Sequence, residues 1–156
     1  MILKIAALPE DVPKQLESEY DAREWDIEFI DLHYSKKILM EGIAERIKQT
    51  VTFRGTLASR IEQICARCLE PQESDLLAPF DLSYDIQGRE TIDTTADLRD
   101  ILILRHPDRF LCRSDCRGIC PYCGANLNRE SCQCKSSIKQ PLSWQPLKEK
   151  LKKRED

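Results

Sequence analysis

Six of the eight cysteines in this chain fall between residues 112 and 134: Cys112, Cys116, Cys120, Cys123, Cys132 and Cys134. The other two form a separate pair, Cys65-Ala-Arg-Cys68. Thiolates at such short spacings are what a tetrahedral zinc ion requires, so the chain is predicted to fold around metal. Cys120-Pro-Tyr-Cys123-Gly reads as a knuckle, a turn that aims two sulfurs at one ion. Pro121 presets φ there, and Gly118 and Gly124 leave room for amide-to-sulfur hydrogen bonds. Cys132 and Cys134 can complete a tetrad with Cys120 and Cys123, and Asn126 and Asn128 in the bridge between them favour turns. Cys65, Cys68, Cys112 and Cys116 would then form a second tetrad, stapling an earlier part of the chain to the cysteine-rich segment. Spacing alone leaves other partitions open, and with them one or two zinc ions.

Other uses of cysteine are weighed against this. No apolar run approaches the roughly 18–20 residues that span a bilayer. The apolar stretch Met1–Pro9 is too short for an export signal. The expectation is a cytoplasmic protein, and disulfides are rare in that compartment. Four thiolates also suit an iron–sulfur cluster. A redox switch that releases zinc on oxidation, as redox-regulated chaperones use, is a further rival. Catalytic zinc is disfavoured, because such sites keep an open position and include His or a carboxylate. The chain has two histidines. His33 reads as a strand or edge residue, and His106 as a helix-end imidazolium facing the helix dipole. With no phosphate loop, nucleophile elbow or His-Glu-x-x-His sequence, no enzyme is expected.

A length of 156 residues suits one domain with a modest core. Its charge is uneven. Residues 1–104 carry 12 Lys and Arg against 21 Asp and Glu, a balance of −9, and residues 105–156 carry 12 against 6, a balance of +6. A basic C-terminal part can meet a polyanion. Arg113, Arg117, Arg129 and Lys135 interleave the cysteines and are the candidate phosphate contacts, with Tyr122 as a possible stacking face. The alternative is that these cations only solubilise the module or pair with the acidic body.

Alternating apolar residues predict strands at Ile27–Tyr34, Ile38–Ile47, Val51–Ile64 and Phe80–Ile86, the third being the clearest. Residues 9–26 read as loop with room for one helical turn, and residues 88–95 as polar linker. Thr94-Thr-Ala-Asp97 matches a capping box, opening a helix through Leu98, Ile101 and Leu102 that Pro107 stops. Trp144, Leu147 and Leu151 suggest a short docked C-terminal helix. The expected fold is α+β: an antiparallel β-rich domain with a C-terminal cysteine-rich zinc-binding module. Residues 1–95 form the β-rich body with the first Cys pair. Residues 96–156 supply the helix, the zinc module and a basic tail, all as one integrated domain.

Cys65-Ala-Arg-Cys68-Leu-Glu-Pro71 resembles the first cysteine element of the YceD-type large ribosomal RNA subunit accumulation proteins. Cys116-Arg-Gly-Ile-Cys120-Pro-Tyr-Cys123-Gly-Ala-Asn-Leu-Asn128 resembles their second, with Arg117 and Ile119 in place of the usual Lys and Leu. The resemblance implies a non-enzymatic ribosome biogenesis factor that supports accumulation or maturation of large-subunit ribosomal RNA. Its partners would be that RNA or its precursor, ribosomal proteins, or both, with no membrane and no small-molecule substrate. Two alternatives remain: a zinc-based redox-switched chaperone, and a protein-only adaptor whose acidic face (Glu70, Glu73, Asp75, Asp81, Asp85) holds basic ribosomal proteins.

Overall fold

A computed structural model describes residues 1–107 and 109–134. The helix expected around Trp144, and Lys135 among the phosphate contacts, lie outside the described residues.

Three long strands form a meander: β4 (Ile38–Ile47), β5 (Thr50–Ile64) and β6 (Pro71–Asp85). They follow β1 (Ile2–Lys4), β2 (Lys14–Tyr20) and β3 (Leu32–Tyr34). β5 pairs antiparallel with β6 along its whole length, from Thr50 opposite Asp85 to Ile64 opposite Pro71. On its other side β5 pairs first with β4 and then, at Ile61–Gln63, with β3. β2 closes the sheet on the far edge of β4. A second, two-stranded sheet joins β1 to β7 (Thr91–Asp93), and α1 (Thr95–Arg105) follows directly.

The period of two in β5 decides which face is inside. Val51, Phe53, Leu57 and Ile61 are buried, and Leu57 sits between Met40 and Ala78 in the ladder. Ile27, Leu98 and Leu102 join the same apolar cluster, so the helix packs on the inner face. Burying side chains such as Phe53 and Leu57 stabilises the fold by roughly 1.5–3 kcal/mol each. The opposite face carries Glu41, Ile43, Arg54, Asp75 and Asp81 and is solvent-exposed or partly so, as one-sided antiparallel sheets commonly are. At Gly55 the strands leave no room: a Cβ would lie 2.2 Å from the Glu41 carbonyl oxygen and 2.8 Å from the Phe80 ring.

The antiparallel, β-rich architecture with one α-helix among the described residues matches the expectation, and five local readings need correction, the first being the strand expected at Phe80–Ile86, which begins at Pro71 and ends at Asp85. Residues 14–20, read as loop, form β2; Leu16, Ser18 and Tyr20 are half-buried between exposed Gln15, Glu17 and Glu19, and the acidic content hides that alternation. The strand expected from Ile27 shortens to Leu32–Tyr34, because Ile27 is buried from a turn that its own N–H closes onto the Ala22 carbonyl. The polar linker contains β7. The capping box does not form: Thr94 donates to the Met1 carbonyl over 3.1 Å, and Asp93 accepts from the Thr95 N–H at 2.9 Å instead. Asp97, the expected partner, accepts from the Tyr84 hydroxyl. No helix among the described residues is long and apolar enough to cross a membrane.

Candidate metal centre

The turn of the β5–β6 hairpin is the first knuckle. The Cys65 N–H donates to the Glu70 carbonyl (3.0 Å), and the Leu69 N–H returns to the Cys65 carbonyl (2.9 Å). Cys120–Ala125 repeats this geometry. The Cys120 N–H donates to the Ala125 carbonyl (2.8 Å), and the Gly124 N–H donates to the Cys120 carbonyl (2.9 Å). The fifth residue of each turn is left-handed, Leu69 at φ 59° and Gly124 at φ 73°. Glycine adopts that conformation without strain, whereas leucine does so at a cost.

Two groups of four sulfurs assemble on these turns. Cys65, Cys68, Cys112 and Cys116 form one, and Cys120, Cys123, Cys132 and Cys134 the other, with all Sγ atoms of a group within 4.8 Å of one another. Cys65 and Cys116 lie 3.8 Å apart, Cys68 and Cys112 3.7 Å, Cys123 and Cys132 3.5 Å, and Cys120 and Cys132 3.3 Å. A tetrahedron of sulfurs at about 2.3 Å from a central ion has edges of about 3.8 Å, so both groups fit a four-thiolate metal site. The two clusters can each hold a metal ion.

Backbone and side-chain amides prepare these sulfurs for negative charge. Burial opposes ionisation of Cys65, but the N–H groups of Cys112, Cys68 and Arg67 outweigh it and bring the thiol down to about 6. The N–H groups of Cys123 and Tyr122 bring Cys120 to about 6 as well. Cys112 and Cys132 resist. Burial, then the sulfurs of Cys116, Cys68 and Cys65, push Cys112 up to about 12. Cys132 accepts from the Cys134 N–H, yet neighbouring sulfurs push it up to about 12. Four thiolates so close repel one another, and a dication removes that repulsion.

The groups differ in exposure. Cys65, Cys68 and Cys116 are buried against Leu111, whereas Cys123 and Cys134 are exposed. A seam joins them. The Ile119 N–H donates to the Arg67 carbonyl (3.1 Å), and the Arg67 guanidinium donates to the Cys116 carbonyl (3.0 Å). Gly118, at φ 76°, permits this approach, since a Cβ there would meet the Arg67 carbonyl oxygen at 2.9 Å.

The candidate phosphate contacts gather at the same seam. Arg113 donates to Asn128 Oδ1 (2.8 Å) and pairs with Asp115. The Arg117 N–H donates to the same Oδ1 (2.8 Å), and its side chain is exposed. Arg129 pairs with Glu70 at 2.9 Å. Gln72, Arg113, Asn126 and Arg129 line a cleft of about 280 Å³ beside Cys68 and Cys112 of the first cluster. Glu70 therefore belongs to the seam, while Glu73, Asp75, Asp81 and Asp85 stand on the outer sheet face. Tyr122 is exposed on the second knuckle.

Sequence reasoning took Asn126 and Asn128 for turn formers only. Their spacing of two hinted that both amides face one way, but nothing in sequence announced Glu70 and Cys116 as their partners. His33 is exposed on β3. His106 is not the imidazolium expected at the helix end. Burial lowers its pKa, the Asp31 carboxylate opposing, and its Nε2 lies 2.7 Å from the Tyr34 hydroxyl.

The profile of the family described as "Large ribosomal RNA subunit accumulation protein YceD" matches residues 53–152. An uncharacterized protein of Mycobacterium tuberculosis is 30% identical over 120 residues, covering 67% of this chain and 58% of its own length. The chain thus spans less than two thirds of that relative. The "Large ribosomal RNA subunit accumulation protein YCED homolog 1, chloroplastic" of Zea mays is 43% identical over 58 residues, 36% of this chain and 19% of the relative. Its counterpart in Arabidopsis thaliana is 42% identical over 43 residues, 28% of this chain and 13% of the relative. No solved structure matches. The profile spans the ladder of β5 and β6, the helix and both sulfur clusters, and the chain belongs to the YceD family of large ribosomal RNA subunit accumulation proteins.

Proposed function

We propose that the protein is a zinc-stabilised, non-enzymatic factor that binds large-subunit ribosomal RNA or its precursor in the cytoplasm, so that the RNA accumulates. The family's description and the names of the plant relatives supply the ribosomal context. Zinc is the ion that suits four thiolates in a closed tetrahedron, and a closed tetrahedron is the arrangement of structural sites rather than catalytic ones. In the first site Cys65, Cys68, Cys112 and Cys116 would hold it. In the second, Cys120, Cys123, Cys132 and Cys134 would. The observation that carries the reading is a cleft beside the first cluster lined by Arg113, which donates to Asn128, and by Arg129, which pairs with Glu70, with the exposed Arg117 held nearby through its backbone N–H on the same Asn128. Two ions fix the backbone beneath these cations, so phosphate binding does not have to order it. Lys135 belongs to the same proposal.

The test is a titration of the zinc-loaded chain with a large-subunit RNA fragment across a salt series. Arg117→Glu combined with Arg129→Glu should weaken binding and flatten the slope of log K against log salt by about two. Unaltered affinity with an unaltered slope removes direct RNA contact from the account.

A second reading has its own support on the outer sheet face. Glu17 and Glu41 stand directly opposite each other on β2 and β4, a like-charge placement that destabilises the pair, and neither enters an ion pair among the described residues. Glu73, Asp75, Asp81 and Asp85 extend the acidic surface along β6. A basic ribosomal protein is the partner such a face would take. Crosslinking in cells, scored for RNA against protein partners, separates the two readings.

A further inference from the structure

Asn128 lies in the stretch between Cys123 and Cys132, so the second sulfur cluster closes its loop at both ends. Its side chain nevertheless serves the first cluster. Nδ2 donates to Cys116 Sγ over 3.3 Å. Oδ1 accepts from the Arg117 N–H and from Arg113, both at 2.8 Å, which fixes the backbone just beyond Cys116. Asn126 orients the amide, its Oδ1 accepting from the Asn128 backbone N–H (2.9 Å) and from Nδ2 (3.0 Å). Asn126 then donates to Glu70 (3.2 Å), two residues past Cys68. A chain of contacts thus runs from one cluster's loop to both halves of the other.

An N–H aimed at sulfur favours the thiolate, which is the form that ligates. Partners of this kind orient ligands, and their removal typically lowers metal affinity by about 10–100-fold. The amide can reach Cys116 only while residues 124–131 keep their shape, and an ion between Cys120, Cys123, Cys132 and Cys134 holds that shape.

We propose that Asn128 couples the two metal sites: an ion in the second site holds the amide on Cys116 and raises the affinity of the first. By linkage the first ion raises the affinity of the second by the same factor. Asn128 is a positioning residue here, since it acts through Cys116 rather than by ligating. The inference rests on reading the clusters as zinc sites. A residue that merely shaped its own turn would leave the first site's affinity untouched.

Competition for zinc with a chromophoric chelator, on the full chain, tests this. Wild type should bind two ions, and a C65S/C68S chain, which retains only the second site, should by linkage bind there more weakly by the same factor, so that the product of the two wild-type association constants exceeds the product of the single-site ones. A C132S/C134S chain retains only the first site and should bind there about 10–100-fold more weakly than wild type. Asn128→Ala keeps all four ligands of each site and should weaken the first by a similar factor. Asn128→Asp, the same size but with an acceptor against the thiolate, should weaken it further. Adding Asn128→Ala to C132S/C134S should cost nothing more, because the amide is already free. A wild-type chain that binds no zinc overturns the zinc reading and the coupling together. Two bound ions with first-site affinity unchanged by either Asn128 variant overturns the coupling alone, as does full additivity with C132S/C134S. Circular dichroism verifies that the sheet persists; if Asn128→Ala loses it, an undiminished first-site constant in C132S/C134S is the overturning result.

Discussion

Leu69 and Gly124 occupy equivalent places in two turns of one design, and only the glycine is at ease there. Relief of left-handed strain, roughly 1–2 kcal/mol, exceeds the backbone entropy that glycine forfeits, roughly 0.5–1 kcal/mol. Leu69→Gly should therefore raise stability by about 0.5 kcal/mol in a urea titration, and a loss of stability would mean that the exposed leucine is holding something. His106 offers a test by pH. Its folded pKa lies below the unfolded 6.5, so its contribution is complete above that value and is lost as pH falls through the folded one. The urea midpoint should drop from pH 7.5 to 5.5, and His106→Gln should drop less; equal slopes would show that carboxylates alone govern acid sensitivity. The two groups of cysteines were legible in the sequence because short spacings confine where sulfurs can point. Asn128 was not, because its partner Cys116 is set by the fold of a loop and Glu70 by the hairpin far upstream.

β5 was the most legible element, its strict alternation from Val51 to Ile61 reporting the face turned into the apolar core. Replacing Phe53 with Ala should cost about 3–5 kcal/mol, since its ring fills the layer against Phe80, with ring centroids 4.8 Å apart. Gly55→Ala should destabilise by about 1–3 kcal/mol, because the new methyl group has backbone, not a yielding side chain, in its way. Thermal unfolding measures both; a Gly55→Ala chain as stable as wild type would mean that β4 and β5 stand further apart than described. β2 escaped sequence reasoning because edge strands need few apolar residues. The short β1–β7 pair escaped it because three residues carry too little periodicity, and the two strands are separated by most of the chain.

For the molecule as a whole, ion removal should act unevenly. The apolar cluster of the sheet and helix does not include the second knuckle, whose order comes from sulfur, amide and turn contacts. Exhaustive chelation should abolish amide protection at Cys120, Gly124 and Leu127 while β5 retains its own, read by hydrogen exchange. Protection unchanged throughout would remove metal from the account of this fold. The first cluster stands at a place with mechanical meaning. Cys65 and Cys68 are the bend of the β5–β6 ribbon, and the Ala66 N–H donating to Phe110 and the Arg67 carbonyl accepting from Ile119 tie that bend to the cysteine-rich segment. An ion held there would work as a rivet at the tip: a protease or unfolding motor that grips the loop would have to extract it before the ribbon could unzip.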